Sequence, residues 1–552
     1  MEDLIWKHVV LNAKKYGKPN EKAVIGKILA ESPELRKNAR ELLERIRVAI
    51  QEFENLDDGR RNELYALYSE EKTGGKQEQG LPPLKNAEKG KVVMRFAPNP
   101  NGPPTIGSAR GIVVNDEYAK MYDGRLILRF DDTDPRTKRP MIEAYDWYLE
   151  DAEWLGAKVH QVVYASKRID LYYDYAAKLI EMGHAYVCRC ARDEFKRYKD
   201  AGLPCPHRER SAEENLEDWE KMLDGAYDEG EAVLRIKTDM AHKDPAVRDW
   251  VAFRIINSDH PLVGAKYIVY PTLDFESAVE DHELGVTHIL RGKDLADSEK
   301  RQRYIYEYFG WEYPVVKLWG RVKIHEFGKF STSTLRKDIE SGKYSGWDDP
   351  ALPTVRALRR RGFRAVAIRN FLLSLGVGEN DVSVSLKNLY AENRKIVDGV
   401  ARRFFFVWKP VKLEIEGLDG EVEVNLPVHP SKDMGVRILR ANRAIYITED
   451  DCRNFDGKEV RLKGFCNIRI ENGKAVYLGD EIESAKKGRN IIHWLPEGQV
   501  IEGEVITPEG IVEGLFESNA AGAEGEVVQF ERYAFCRIER AGERITAIYT
   551  HP

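Results

Sequence analysis

The stretch from Val92 to Phe130 constrains the fold most. Val92-Val93-Met94-Arg95-Phe96 is a short apolar run of strand type, and the Pro/Gly-rich loop Ala97-Pro98-Asn99-Pro100-Asn101-Gly102-Pro103-Pro104 follows it. Helical patterning then runs from Thr105 to Tyr122, Asp123-Gly124 ends it, and Leu126-Ile127-Leu128-Arg129-Phe130 reads as a second strand. Strand, helix and strand within about 40 residues make a βαβ unit, which implies a parallel sheet. Tyr267-Ile268-Val269-Tyr270 and His288-Ile289-Leu290 are further strand candidates. In open α/β sheets ligands bind at the carboxyl ends of the strands, where Asp131 falls. The helix opening at Thr105 offers free N–H groups and a positive dipole end suited to phosphate. A nucleotide-binding domain is one reading; a loop whose prolines and glycines only make a turn is the other.

The chain has 552 residues, room for three or four domains, and 42% hydrophobic residues beside 32% charged ones permit large cores. A net charge of −6 does not exclude a nucleic-acid partner, because binding depends on local fields. No run approaches the length of a membrane span, and the start lacks the basic flank and apolar core of a secretory signal. Six cysteines in a chain of this length are no disulfide framework. A cytoplasmic protein with no membrane partner is expected.

Residues 1–72 read as a small helical domain, with Ser32 as N-cap, Pro33 at the first helical position, and Leu42, Ile46, Ala49 and Phe53 as an apolar stripe. A polar Gly/Pro linker at 73–88 separates it from an α/β domain split into 89–164 and 266–338. Residues 165–265, rich in charge, read as an insertion, and 339–403 read as helical. From 404 to 552 the apolar period switches to two, as in Val411-Lys412-Leu413-Glu414-Ile415, the pattern of antiparallel barrels.

Within the insertion, Cys188-Arg189-Cys190 and Cys205-Pro206-His207 bring three thiols and an imidazole into two close pairs. Cys188, Cys190, Cys205 and His207 can make a closed, structural zinc site; unligated cysteines are the alternative. Arg356, Arg359, Arg360, Arg361, Arg364 and Arg369 crowd one stretch with no acid among them. That is either a solvated charged face or a phosphate-binding one.

Arg95 to Gly102 with Thr105-Ile106-Gly107-Ser108 resembles the His-Ile-Gly-His region of class I aminoacyl-tRNA synthetases. Arg129-Phe130-Asp131-Asp132-Thr133, Gly346-Trp347-Asp348-Asp349-Pro350 and Leu358-Arg359-Arg360-Arg361-Gly362 are similar to the glutamyl/glutaminyl branch. The β-rich C-terminal part resembles the archaeal/eukaryotic glutamyl type. The resemblance implies a Rossmann-type catalytic domain with an inserted acceptor-binding domain, a helical stem-contact region and anticodon-binding barrels. It implies ATP with Mg2+, L-glutamate and tRNA(Glu), with tRNA(Gln) left open. The resemblance starts near residue 90 and does not reach the N-terminal helices, for which a docking site for a protein partner is one reading.

Carried over residue by residue, Thr105, Gly107, Ser108, Lys329, Ser331, Thr332 and Ser333 fall at the phosphate-side catalytic motifs. Asn101, Gly102 and Arg321 join Thr105 and Ser108 around ATP. Arg95, Ala97, Asp131, Tyr270, Asp274 and Arg291 fall at the amino-acid site. Arg356, Arg359, Arg360 and Arg361 would meet the RNA stem, and Arg437, Arg461 and Lys463 the anticodon. Two departures stand out: Thr105 and Ser108 replace both histidines, and Thr332 stands where the family usually has the second lysine of its Lys-Met-Ser-Lys-Ser loop.

Arg291 stands where glutamyl enzymes carry arginine, and an arginine pair favours a γ-carboxylate over a neutral amide. The alternative is that Arg291 only neutralises Asp294 or Asp297 at the surface. Two rivals remain on these residues. One is a glutaminyl enzyme, against which Arg291 and Leu273 count; the other is a synthetase-derived RNA-binding protein without catalysis, for which Thr105, Ser108 and Thr332 count.

Overall fold

The expected βαβ unit forms in a computed structural model of the chain as β1 (Val93–Phe96), α1 (Ile106–Met121) and β2 (Arg125–Phe130). Thr105 caps α1 by accepting the Ser108 amide. The strands run parallel, with Arg95 opposite Ile127. Residues 2–31, 38–57, 80–328, 331–481 and 490–552 are described, with Leu35, 59–61 and 63–65 besides. They divide into two units, Met1–Leu81 and Pro82–Pro552.

In the first unit the helix Ala39–Glu54 turns Leu42, Ile46, Ala49 and Phe53 inward, the stripe read from spacing. It meets Ile5, Val9 and Val10 of the helix Glu2–Tyr16 and Val24 and Ile28 of Glu21–Glu31. Ser32, Pro33 and linker residues 73–79 lie outside the described residues.

In the second unit β3 (Gln161–Tyr164) joins β2 on its outer side. The chain then builds a four-stranded antiparallel sheet from β4 (Ala185–Cys188), β5 (Val233–Ile236), β6 (Val251–Ile255) and β7 (Val269–Pro271). The apolar run at 267–270 therefore supplies an edge strand of the insertion, paired through Tyr270 with Arg254, and not a strand of the parallel sheet. A short apolar run looks alike in both settings, and pairing with the preceding strand decides between them.

After α2 (Leu273–Glu283), β8 (His288–Gly292) and β9 (Val315–Trp319) complete a five-stranded sheet of order β3-β2-β1-β8-β9. All its pairings are parallel. Strand order reverses between β1 and β8, and a ligand crevice opens at such a switch point. Two further helices, α3 (Thr332–Glu340) and α4 (Val355–Arg360), follow. Val355, Leu358, Ile368 and Phe371 share a core with Ile112 and Val113 of α1 and with Leu128 and Phe130 of β2, so the helical region is fixed to the sheet.

A two-stranded pair, Val422–Pro427 with Val436–Ala441, and two seven-stranded sheets make the C-terminal part. In one, Arg403–Phe404 and Phe406–Trp408, broken only at Phe405, take both ends of the strand order; in the other, Asn490–Ile492 and Leu495–Pro496 do. Each sheet is closed by one continuous segment, which removes its free edges as the period-two pattern led us to expect. Among the described residues no helix is long and apolar enough to cross a membrane.

Candidate active site

Arg95, Asp131 and Arg291 stand at the carboxyl ends of β1, β2 and β8, on the edge the topology predicts. A chain of ion pairs runs beneath them. Arg95 Nε donates to Asp281 Oδ1 at 3.1 Å, and Arg129 Nη1 donates to the same oxygen at 2.7 Å. Arg129 also holds Asp131 with Nε at 2.6 Å and Nη2 at 3.2 Å. Burial works against the Asp281 charge, but Arg95 and Arg129 keep its carboxyl below the ordinary value. Asp281 and Glu276 were not singled out in the sequence, where a charged residue on a helix reads as solvated, and Arg129 was quoted only within the motif Arg129–Thr133.

Arg291 is buried, and its Nη2 donates to the amide oxygen of Gln302 at 2.7 Å. Tyr313 donates to that oxygen too, also at 2.7 Å, and burial pushes this phenol up to about 12, so it remains a donor. Nη1 of Arg291 has no partner. Neither Asp294 nor Asp297 neutralises it: Asp294 pairs with Arg321 at 3.2 Å and Asp297 with Lys300 at 2.8 Å. The surface-neutraliser alternative therefore falls.

The phosphate-side motifs converge as well. The amide of Ile106 is already used by Pro353 O at 2.9 Å and that of Ser108 by the Thr105 hydroxyl at 3.4 Å. The exposed Gly107 keeps its N–H at the open end of α1. A Cβ at Gly102 would run into Thr332 Cγ2 and, at 3.0 Å, the Trp347 ring, so the loop after β1 needs glycine to lie against both segments. Ala97, half-buried, and Asn101 belong to that loop. Asn99 Nδ2 ties it to Asp131 O at 3.0 Å. Ser331 caps α3, accepting from the Thr334 amide at 3.2 Å, with the Ser333 hydroxyl 3.0 Å away. Lys329 lies outside the described residues.

Two further expected substrate residues make contacts of their own. Asp274 is ion-paired to Arg301 at 2.6 Å and lines a cavity of about 540 Å³ with Arg192, Lys199 and Trp250, sharing no partner with the Arg95–Asp131 chain. Tyr270 is buried with its hydroxyl unpartnered, and its phenol is pushed up to about 12 by burial and then by Asp259. Its ring lies over His260, whose Nε2 meets the backbone oxygen of Asp132 at 2.6 Å.

Ligand atoms of Cys188, Cys190, Cys205 and His207 all lie within 4.8 Å of one another. The Cys188–Cys205 sulfurs are 3.9 Å apart and Cys190 Sγ is 3.3 Å from His207 Nδ1. Those edges match a tetrahedron with metal–sulfur bonds of about 2.3 Å and metal–nitrogen bonds of about 2.0 Å. The residues present thus fit a closed zinc site.

The arginines of 356–369 divide sharply. Arg359 is exposed, over Trp154 at 5.6 Å. Arg356 pairs with Glu150 at 2.7 Å and Arg360 with Glu539 at 2.8 Å; with Asp348 and Arg537 they line a cavity of about 680 Å³. Arg361 is a correction: fully buried, it donates to the carbonyls of Tyr549 at 3.1 Å and Thr550 at 2.8 Å, binding helix to barrel rather than facing RNA. Arg369 likewise pairs with Asp116 and Glu117. In the barrels Arg437 is buried between Glu517 and Glu531, and Arg461 donates inward to Asn467 and Phe465 O. Both are therefore structural, because burial and local carboxylates and carbonyls take up their Nη donors. Lys463 pairs with Glu531 but stays partly exposed.

Arg361→Ala is expected to lower stability by about 2–4 kcal/mol through orphaned carbonyls. Arg359→Ala is expected to leave stability within about 1 kcal/mol while weakening RNA binding and reducing its salt slope by about 1. Denaturant titration and filter binding at several salt concentrations separate the two.

Behind the exposed arginines lies Asp151, fully buried, with neither carboxylate oxygen partnered. Burial raises it from 3.8 to about 7, against Arg356 and Arg359. An acid raised on folding stabilises the fold below its unfolded value and loses that contribution as pH rises through its folded one, on the order of 4 kcal/mol here. Asp151→Asn is therefore expected to raise the melting temperature at pH 8 and to have little effect at pH 4; an equal shift at both would exclude the buried charge as its cause.

The model of the tRNA synthetases class I (E and Q) catalytic domain matches residues 91–398, and that of their anticodon-binding domain matches residues 401–484. The chain belongs to this family of aminoacyl-tRNA synthetases. It is 64% identical over 554 residues to a glutamate–tRNA ligase of Archaeoglobus fulgidus, covering 100% of both chains. It is 53% identical over 563 residues to one of Methanothrix thermoacetophila, covering 100% of this chain and 99% of that one.

Proposed function

We propose that the chain joins L-glutamate to the 3′-terminal adenosine of tRNA(Glu), through a glutamyl-adenylate made from ATP. The observation that carries this is Arg291: a buried guanidinium at the switch-point crevice whose Nη1 is unpartnered and which has no carboxylate partner among the described residues. An unneutralised buried cation is costly, and a substrate γ-carboxylate supplies the missing partner. Asp131, fixed by Arg129, presents an acceptor for the α-ammonium. The α-carboxylate attacks the α-phosphorus and pyrophosphate leaves; the 2′-hydroxyl then attacks the acyl carbon and AMP leaves.

Neither step needs a protein nucleophile, so the residues position groups and meet charge. The Gly107 amide and the Thr105 and Ser108 hydroxyls serve the phosphates, with Mg2+ bound on ATP. Because hydroxyls replace the family's imidazoles, positive charge there would come from Lys329 and Arg321, from Mg2+ carried on ATP and from the dipole end of α1. Zinc, held by Cys188, Cys190, Cys205 and His207, would fix the insertion that receives the acceptor end.

ATP–pyrophosphate exchange with glutamate or glutamine, with and without tRNA, tests this. Exchange that needs both glutamate and tRNA is expected. Exchange driven by glutamine would overturn the amino-acid assignment, robust tRNA-free exchange would overturn the tRNA requirement, and no exchange at all would favour RNA binding without catalysis. Charging of tRNA(Gln) in parallel reports whether that RNA is a second acceptor.

A further inference from the structure

Glu276, on α2, ends the chain of ion pairs beneath the crevice. Arg95, Asp281, Arg129 and Asp131 pair in alternation, so their charges balance. Glu276 is a third carboxyl group in that interior and is almost wholly buried. Its Oε1 has no partner, and its Oε2 takes only the Thr133 hydroxyl at 3.3 Å. The nearest cationic nitrogen, Arg129 Nε, is 3.8 Å from Oε1 and already committed to Asp131 Oδ1 at 2.6 Å, so the two carboxyl groups converge on one nitrogen.

The groups facing it are Arg129 and Asp131 from β2, Thr133 beyond that strand, Tyr172 from the helix Ile169–Glu181, and Glu280 on its own helix. None brings a spare positive charge. Glu280 is itself occupied by Arg168 at 2.6 Å and Tyr172 at 2.7 Å. A buried carboxyl without a counter-charge is held in its protonated form.

We propose that Glu276 is a positioning residue: a neutral carboxylic acid that donates its hydrogen bond to Asp131 and fixes that carboxylate, still ionised, for the α-ammonium of the substrate. The assignment rests on the amino-acid activation proposed above. Burial first, then the Asp131 charge, raises the Glu276 carboxyl well above its ordinary value. The proton stays on Glu276 throughout. It keeps the inner chain electrically balanced, which leaves Arg291, with its unpartnered Nη1, to meet the γ-carboxylate.

The test is tRNA-supplemented exchange kinetics across pH for wild type, Glu276→Ala and Glu276→Gln, with infrared difference spectra of wild type against Glu276→Gln. Glu276→Ala is expected to raise KM for glutamate about tenfold or more with kcat within about threefold, because a substrate-positioning contact is lost. Glu276→Gln, which offers an N–H where the acid offers an O–H, is expected to recover most of that loss. It should also abolish an alkaline rise in KM that wild type shows as Glu276 ionises. A mere packing role would leave that pH limb in place. The infrared difference should contain the C=O stretch of a protonated carboxylic acid at neutral pH, whether or not the enzyme turns over.

Absence of that band, or a glutamine variant as impaired as the alanine one, overturns the proposal, and neither needs Glu276→Ala to fold. A wild type with the band but without glutamate-dependent exchange would sink the activation chemistry instead, and the positioning role with it.

Discussion

Arg291→Gln lowers kcat/KM for glutamate by about 10²–10³-fold, the largest single-residue effect expected of this site. Leaving a carboxylate unpaired in a dry pocket costs about 3–5 kcal/mol, and each 1.4 kcal/mol is tenfold. Arg291 is held by Gln302 at 2.7 Å, and Gln302 is fixed in turn by Tyr313, so the guanidinium is preorganised before substrate arrives. Arg291→Lys should recover only part of the loss, since an ammonium cannot keep the Gln302 bond and offer a second parallel donor. The ratio of glutamate to glutamine exchange should fall with the charge. An unchanged ratio in Arg291→Gln would place amino-acid selection elsewhere in the crevice.

The proposed zinc site carries the second large expected effect. Purified chain is expected to carry about one zinc, lost on Cys188→Ser, with stability down by about 3 kcal/mol and the melting temperature by about 10 °C. The loss should stay local. Cys188, Cys190 and Cys205 form a small core with Tyr186 and Phe195, apart from the large core around Leu179, Phe253 and Phe275. Hydrogen exchange should therefore quicken near 185–210 while the parallel sheet keeps its protection. Metal analysis showing none would remove the zinc assignment.

The helix stripe at Leu42, Ile46, Ala49 and Phe53 was visible before any coordinates because its period is local. So were β1, α1 and β2, whose turn residues and apolar runs are contiguous, and the Cys/His cluster, whose four residues fall in two short segments. The arginine stretch misled for the complementary reason. Arg359 and Arg361 are two positions apart and alike in sequence, yet one is exposed and the other is sealed against Tyr549 and Thr550. Their difference lies in a barrel strand almost two hundred residues downstream.

The sequence by itself determined the α/β class, the closed barrels and the edge of the sheet on which the candidate site lies. Periodicity and turn chemistry act over a few residues, and strand ends are where a parallel sheet opens. Only the tertiary structure decided which charges are available to a ligand. Arg129 and Asp281 are joined from strands and helices far apart in the chain, and so are Arg437 and Glu517. Whether a charge is free depends on what burial places against it, and that is a property of packing. Arg291 is free, Arg361 is not, and Glu276 is left without a counter-charge for the same reason.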